Sequence, residues 1–384
     1  MSVTDLPRLL EPPRQSFFLF GPRGTGKSHW LARRFAGAVT FDLLDEALRL
    51  ELLADPAAFA HKLDGRKAGD WVVIDEVQRA PVLLNAVHQY IEKRRLRFVL
   101  CGSSARQLRR RGVNLLAGRA VERRLHPFTP GELGNRFDLE ETLTVGTLPI
   151  VWSAEDRRDT LRAYVQTYLA QEIQAEAAVR GLPSFVRFLP VAALFHAQVL
   201  NVASLARDAG VPRSTVQTYL DILHQTLLTF ELEAHRPRLR VKEVGHPKLY
   251  WADAGLVRAF KRSLGPLQDE ERGPLFEGWV AQTLRATNDY VGLFDDWSYW
   301  SSHGSNGTVE VDFLLRQGKR LVALEAKAGR RFKPEMLKGL RAIADLAGVR
   351  RRMLVYGGTD SWRTDDAIDV MAVPRFAAEL TSGL

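Results

Sequence analysis

The chain has 384 residues, 46% of them hydrophobic and 26% charged. These are globular proportions, and the length allows two to four domains. No run approaches the ~18 consecutive apolar residues of a membrane helix, and the single cysteine, Cys101, excludes an intramolecular disulfide and any multi-cysteine zinc site. Lys and Arg number 54 against 45 Asp and Glu, a net charge of +9, and 43 of the 54 are arginine. Guanidinium groups bind phosphates with two prongs and stack on bases, so a polyanionic partner is expected; an arginine-rich codon usage would leave the same bias. Residues 1–10 carry Asp5 and Arg8 and no apolar signal core, which makes the cytoplasm the expected location.

Residues 1–126 alternate short β-rich runs with helical patterns, the mark of an α/β fold with a parallel sheet. The runs are Ser16–Phe20, Val39–Leu43, Trp71–Ile74, Arg97–Cys101 and Val121–Leu125. Four are nearly continuous in apolar residues, as strands covered on both faces are; the last is mixed, as an edge strand can be. Between the first run and a helical segment stands Gly21-Pro22-Arg23-Gly24-Thr25-Gly26-Lys27-Ser28, a full G-x-x-x-x-G-K-[ST] phosphate loop. Gly21, Gly24, Thr25 and Gly26 shape a loop whose backbone N–H groups wrap a β-phosphate. Lys27 then reaches the β- and γ-phosphates, and Ser28 ligates Mg²⁺. The third run ends in Asp75-Glu76, at the edge where parallel sheets bind ligands. Asp75 is expected to hold Mg²⁺ through water and Glu76 to polarise the attacking water, so the pair of motifs points to ATP hydrolysis. The fourth run ends at Ser103, which orients the water or caps the next helix; both roles stand. Cys101 reads as a buried small hydrophobe.

The segment Leu115-Leu116-Ala117-Gly118-Arg119, just before the fifth run, resembles the AAA+ ATPases. That resemblance implies that Arg119 reaches the nucleotide of a neighbouring subunit, with Arg123 and Arg109 in reserve, and that the chain assembles into a homo-oligomer, a hexamer by likeness. The chain as a whole resembles ATPases of the AAA_14 plus DUF4143 type, through the phosphate loop, Asp75-Glu76-Val77-Gln78-Arg79-Ala80-Pro81, Gly102-Ser103-Ser104-Ala105, Leu116–Arg119, and Lys248-Leu249-Tyr250-Trp251-Ala252-Asp253-Ala254-Gly255-Leu256. The expected organisation is an AAA+ core over 1–126, a helical lid over 127–190, a winged helix-turn-helix over 191–260 and a nuclease-like domain over 261–384.

In the middle segment, residues Asn201–Leu228 read as two short helices around Gly210-Val211-Pro212. Arg213, Ser214, Thr215 and Gln217 open the second helix, the position of a DNA-reading helix. The basic run Arg236, Arg238, Arg240, Lys242 suits a wing against phosphates. The alternative is a winged helix that only packs on a neighbour. After residue 261 the pattern gives a helix at Leu275–Thr287, strands at Val309–Leu315 and Leu321–Ala326, a helix at Glu335–Leu346 and a strand near Met353–Tyr356. Asp312 followed by Glu325-Ala326-Lys327 resembles the PD-(D/E)xK nuclease fold. The resemblance implies that Asp312 and Glu325 share Mg²⁺, that Glu277 is an extra acid, that Lys327 supports the reacting phosphate, and that Arg330, Arg331 and Lys333 track a backbone. The other readings are a nuclease fold kept for DNA binding or packing, and a plain salt-bridge cluster.

The leading expectation is an oligomeric ATPase that couples hydrolysis to binding or remodelling DNA, branched or forked DNA included, with no membrane partner. Its rivals are an ATP-gated metal-dependent nuclease and a signalling or defence switch whose nucleotide state controls a protein partner.

Overall fold

The computed structural model describes residues 6–103, 116, 118–175, 182–235, 245–304 and 307–383. They form two compact units: Leu10–His126 with Ile222–Leu228, and Met1–Leu9 with Pro127–Asp221 and Thr229–Leu384.

The first unit is a five-stranded parallel sheet with helices between its strands. In chain order it comprises β1 (Phe17–Phe20), α1 (Lys27–Arg34), β2 (Val39–Asp42), α2 (Glu46–Ala54), α3 (Pro56–Lys62), β3 (Trp71–Asp75), α4 (Leu83–Arg94), β4 (Arg97–Gly102) and β5 (Val121–Arg124). The spatial order is β2-β3-β4-β1-β5. β1, Phe-Phe-Leu-Phe, is buried throughout because it lies second from the edge and is covered on both faces. β5 is one of the two edge strands, which accounts for its Val-Glu-Arg-Arg sequence. One face buries Phe18, Phe20, Phe41, Ile74, Phe98 and Leu100 with Val87 of α4. Because all strands run the same way, the segments after β1, β3 and β4 emerge at one edge of the sheet.

The second unit begins with α5 (Pro130–Leu133), α6 (Leu139–Val145), α7 (Pro149–Trp152), α8 (Arg157–Ala175) and α9 (Leu182–Leu194). Next come β6 (Gln198–Val199), α10 (Val202–Ala209), α11 (Arg213–Gln225), β7 (Thr229–Leu232) and β8 (Lys248–Trp251), with a small antiparallel sheet in the order β6-β8-β7. The rest is α12 (Ala254–Phe260), α13 (Asp269–Val291), β9 (Asp296–Gly304), β10 (Gly307–Gln317), β11 (Arg320–Lys327), α14 (Lys338–Ala342), β12 (Val349–Tyr356), β13 (Trp362–Arg363), β14 (Ile368–Ala372) and α15 (Val373–Ser382). Its six-stranded sheet has the order β13-β14-β12-β11-β10-β9.

Among the elements that differ from the sequence expectation, three have a cause visible in the chain. α13 starts at Asp269, not Leu275, because Gln268 and Glu271 form a reciprocal capping box there. The helix expected at Glu335–Leu346 is a 3-10 turn, Pro334–Leu337, followed by the short α14. There Gly339 lies against β10: a Cβ on it would come within 2.1 Å of the Glu310 carbonyl oxygen. β9 was missed because Asp-Trp-Ser-Tyr-Trp-Ser-Ser mixes serines with its aromatics and dilutes the apolar signal.

Candidate functional site

Gly24 and Gly26 of the phosphate loop have φ of 80° and 82°, backbone that other residues rarely adopt. Gly21 has no room for a side chain, since a Cβ would meet the Leu125 carbonyl oxygen at 2.3 Å. Thr25 is fully buried and donates from Oγ1 to the Pro22 carbonyl at 2.9 Å. Lys27, buried at the start of α1, donates from Nζ to the carbonyls of Gly21 (2.8 Å) and Pro22 (3.1 Å), which holds its ammonium inside the loop. Ser28 Oγ donates to Asp75 Oδ2 at 2.6 Å. The two residues expected to hold Mg²⁺ from separate elements are therefore side by side, a donor set that fits a hard, oxygen-ligated cation.

Glu76 follows with φ 56° and ψ 42°, a left-handed conformation that is uncommon for a side-chain-bearing residue. It turns the chain sharply out of β3, and its carboxylate accepts from Gln78 Nε2. Gln78 is buried, and its Oε1 lies where a Cβ on Gly102 would sit, so that glycine lets the Gln78 side chain pass. Ser103 follows Gly102 on the strand between β1 and β3, half-buried at the same edge. Cys101 is fully buried, and burial, reinforced by the nearby Asp75 charge, pushes its thiol well above the ordinary range. It is inert there.

Arg119 sits at the other end of the sheet. Phe17 of β1 pairs with Val121 of β5, so Arg119 precedes the strand while the phosphate loop follows it. Four strand residues at ~3.3 Å each separate the two by about 13 Å. Arg119 forms an ion pair with Glu92 of α4, and that bond, aided by the arginine's charge, holds the Glu92 carboxyl below its usual range. Arg123 donates to its neighbour Glu122's carbonyl oxygen. Arg109 and Ser104 lie outside the described residues.

In the second unit, Asn201 Oδ1 accepts from the amides of Ala203 (3.0 Å) and Ser204 (3.1 Å), starting α10, and Gly210 at φ 64° ends it. α11 buries Val216, Tyr219, Leu220 and Leu223, with the Tyr219 ring 4.8 Å from that of Phe185. The opposite face leaves Arg213, Ser214 and Gln217 exposed and Thr215 half-buried. Arg236, Arg238, Arg240 and Lys242 belong to the connection between β7 and β8 but lie outside the described residues.

The C-terminal acids come together. β10 carries a bulge between Val311 and Leu314, opposite β9, which re-aims Asp312. Asp312 Oδ2 accepts from the Ala326 amide at 3.0 Å, and the Asp312 amide donates to Glu325 Oε2 at 3.3 Å. Lys327 pairs with Glu325 and lies 3.7 Å from Asp312. Lys248 and Tyr250 entered the sequence reading only as carriers of the family resemblance and, like Glu310, had no place in this cluster. Lys248 and Tyr250 lie on one face of β8, and Lys248 Nζ reaches Glu277 at 2.9 Å, Asp312 at 3.3 Å and Glu310. Tyr250 donates to Glu277 at 2.6 Å. The rings of Phe230, Tyr250, Trp297 and Phe313 stack in series beside the cluster, which is buried at Lys248, Asp312 and Glu325 and opens to solvent at Glu310 and Lys327. Burial first, then the Asp312 charge, pushes Glu277 up to about 7 and Glu325 up to about 8. Burial alone would lower Lys248 and Lys327, but the surrounding carboxylates raise both above the lysine range. Four acids against two ammonium groups leave more carboxylate than ammonium charge, which adds to burial in holding Glu277 and Glu325 above the ordinary carboxylate range. Among the described residues no group of three or more His, Cys, Asp or Glu side chains is placed to hold a metal ion. Arg330, expected to track a backbone, is 3.5 Å from Glu140. A lysine inside the apolar run Lys-Leu-Tyr-Trp was the available signal, because a buried ammonium demands acids around it.

The sheet order, the phosphate loop and the Ser28–Asp75 contact define a P-loop fold of the AAA class. Residues 13–134 match the AAA_14 family, described as an AAA domain, and residues 272–376 match DUF4143, a domain of unknown function. Residues 13–134 thus carry an AAA domain and residues 272–376 a DUF4143 domain, the pairing that the sequence resemblance implies. Residues 136–266 between them match DUF8612, also a domain of unknown function. No curated protein matches the chain. Among solved structures, a RuvB mutant of Thermotoga maritima is 16% identical over 56% of this chain and 81% of its own, with a TM-score of 0.29. The ORC1 protein of Aeropyrum pernix, in complex with DNA, is 13% identical over 66% and 87%, with a TM-score of 0.27. A signal transduction ATPase with numerous domains from Pyrococcus horikoshii is 13% identical over 74% and 48%, with a TM-score of 0.26. Likeness at this level says nothing of this chain's activity. No described helix is long and apolar enough to cross a membrane.

Proposed function

We propose that the chain is an ATP hydrolase that assembles with copies of itself and couples hydrolysis to binding or remodelling DNA. The observation that carries the ATPase reading is the 2.6 Å contact between Ser28, at the end of the phosphate loop, and Asp75, the neighbour of Glu76 at the end of β3. Lys27 binds the β- and γ-phosphates, Thr25 and the glycines shape the cradle, and Glu76 takes the proton of the attacking water, with Ser103 within the same edge to orient it. Mg²⁺, held by Ser28 and Asp75 with ATP, supplies charge neutralisation on the phosphates. Arg119, before β5 at the opposite end of the sheet from its own phosphate loop, serves a neighbour's site, which makes hydrolysis depend on assembly; a ring of six is the form proposed. The DNA reading is supported by the exposed Arg213, Ser214 and Gln217 at the head of α11 and by the arginine excess.

The test is ATP hydrolysis by the full chain at low salt, alone and with single-stranded, duplex and four-way DNA. Stimulation by DNA is expected, as is a Glu76→Gln variant that retains ATP without turning it over. Full turnover in Glu76→Gln removes the base assignment. Hydrolysis with no DNA binding at all leaves a nucleotide-state switch acting on a protein partner.

A further inference from the structure

The likeness to PD-(D/E)xK nucleases implies a divalent metal on Asp312 and Glu325, and the donor atoms disagree with it. Asp312 Oδ1 faces Lys248 Nζ at 3.3 Å, and its Oδ2 accepts from the Ala326 amide at 3.0 Å. Glu325 Oε1 accepts from Lys327, and its Oε2 from the Asp312 amide at 3.3 Å. Glu277 Oε1 accepts from both Lys248 and Tyr250. A Mg²⁺ or Mn²⁺ ion needs oxygens that converge with their lone pairs directed at one point. Here Glu277, Glu310 and Asp312 converge on the Lys248 ammonium, and Glu325 is paired with the ammonium of Lys327.

We infer that the acid cluster is a metal-free junction in which Lys248 stands where a divalent ion would, so that the C-terminal sheet grips strand β8 and does not cleave phosphodiesters. Three further observations fit this and are foreign to a metal centre. Lys248 comes from the small sheet, not from the strands that carry the acids, and its side chain is 4% exposed. Its Nζ lies over the Tyr299 ring, 5.6 Å from the centroid, a cation–π contact that favours a monovalent organic cation. Tyr250, two residues along the same face, adds a second bond to Glu277, so the acids hold a strand at two points. A cation bound beside Asp312 would meet the repulsion of an ammonium already in contact with its ligand. This inference does not depend on the nucleotide site or on DNA.

The experiment uses the full chain carrying Asp75→Asn, which removes the metal ligand of the nucleotide site. Mn²⁺ uptake is read, without nucleotide, from the loss of the free-ion paramagnetic resonance signal. No uptake and no nicking of supercoiled plasmid in Mn²⁺ are expected. Uptake of one Mn²⁺ per chain that Asp312→Asn abolishes overturns the inference. Adding Lys248→Met should create that uptake, lower the melting temperature in chelator, and make Mn²⁺ raise it again. A Lys248→Met chain as stable in chelator as its parent also overturns it. If that variant does not fold, the uptake measurement on the intact cluster still decides.

Discussion

His196 shows how much one buried group can settle. It is 2% exposed, its Nδ1 accepts from the Trp251 amide at 3.1 Å, and Gly278 packs so close that a Cβ there would come within 1.9 Å of Nε2. Burial, with the charge of Lys261 adding to it, pushes its pKa down to about 3. The unfolded chain binds a proton at the ordinary value near 6.5 and the folded chain does not. The stabilisation from the neutral ring is therefore complete above about pH 6.5 and is lost as pH falls from there toward 3, at up to about 1.4 kcal/mol per pH unit. Urea unfolding between pH 7 and 4 measures it. His196→Phe should flatten that slope while lowering stability at pH 7 by about 1–3 kcal/mol, since the Trp251 amide loses its acceptor. An unchanged slope in His196→Phe would show that other groups carry the acid response.

At the scale of elements, capping and recognition on the helix pair separate cleanly. Asn201 starts α10 by accepting two amides and takes no part in the face formed by Arg213, Ser214 and Gln217. Asn201→Ala should cost about 1 kcal/mol of stability. Arg213→Ala, on an exposed first turn, should leave stability within about 0.5 kcal/mol yet weaken DNA binding and reduce the magnitude of its salt slope by about one. Thermal melts and binding titrations over a salt series check both; an Arg213→Ala chain with an unchanged slope would remove that residue from the phosphate interface. This division also explains what the sequence made legible. The phosphate loop, the Asp75-Glu76 pair and the two-helix turn are local, since each needs only neighbours in the chain and therefore leaves a pattern of fixed spacing. The acid junction is not local. Lys248 stands 29 residues before Glu277 and 64 before Asp312, and no spacing rule joins them. The Asp312 bulge, likewise, exists only once β9 is paired. β9 itself was hidden because its alternation is carried by Trp297 and Tyr299 against serine.

For the molecule as a whole, the parallel sheet imposes a polarity with consequences for assembly. Phosphate loop, Asp75, Glu76 and Ser103 occupy one edge, and Arg119 the other, about 13 Å of strand away. An arginine so placed cannot touch its own chain's γ-phosphate, so any role in hydrolysis requires a second copy joined head to tail. A head-to-tail interface closes into a ring where its rotation allows, and in such a ring every site is composite. Arg119's ion pair with Glu92 lies at the surface, where solvent weakens it, and the arginine can exchange that partner for a phosphate on a neighbour. The prediction is complementation. Lys27→Ala should lose phosphate contact and Arg119→Ala the neighbouring charge, each chain alone being inactive. In an equal mixture, a site is competent when its own subunit keeps Lys27 and the adjoining one keeps Arg119, which random assembly gives for about one quarter of sites. Phosphate release from the mixture should thus recover to about that fraction of the wild-type rate and fall away at ratios far from equal. A mixture that stays inactive at every ratio, while sedimentation shows that the two variants co-assemble, excludes Arg119 as the residue supplied by the neighbour.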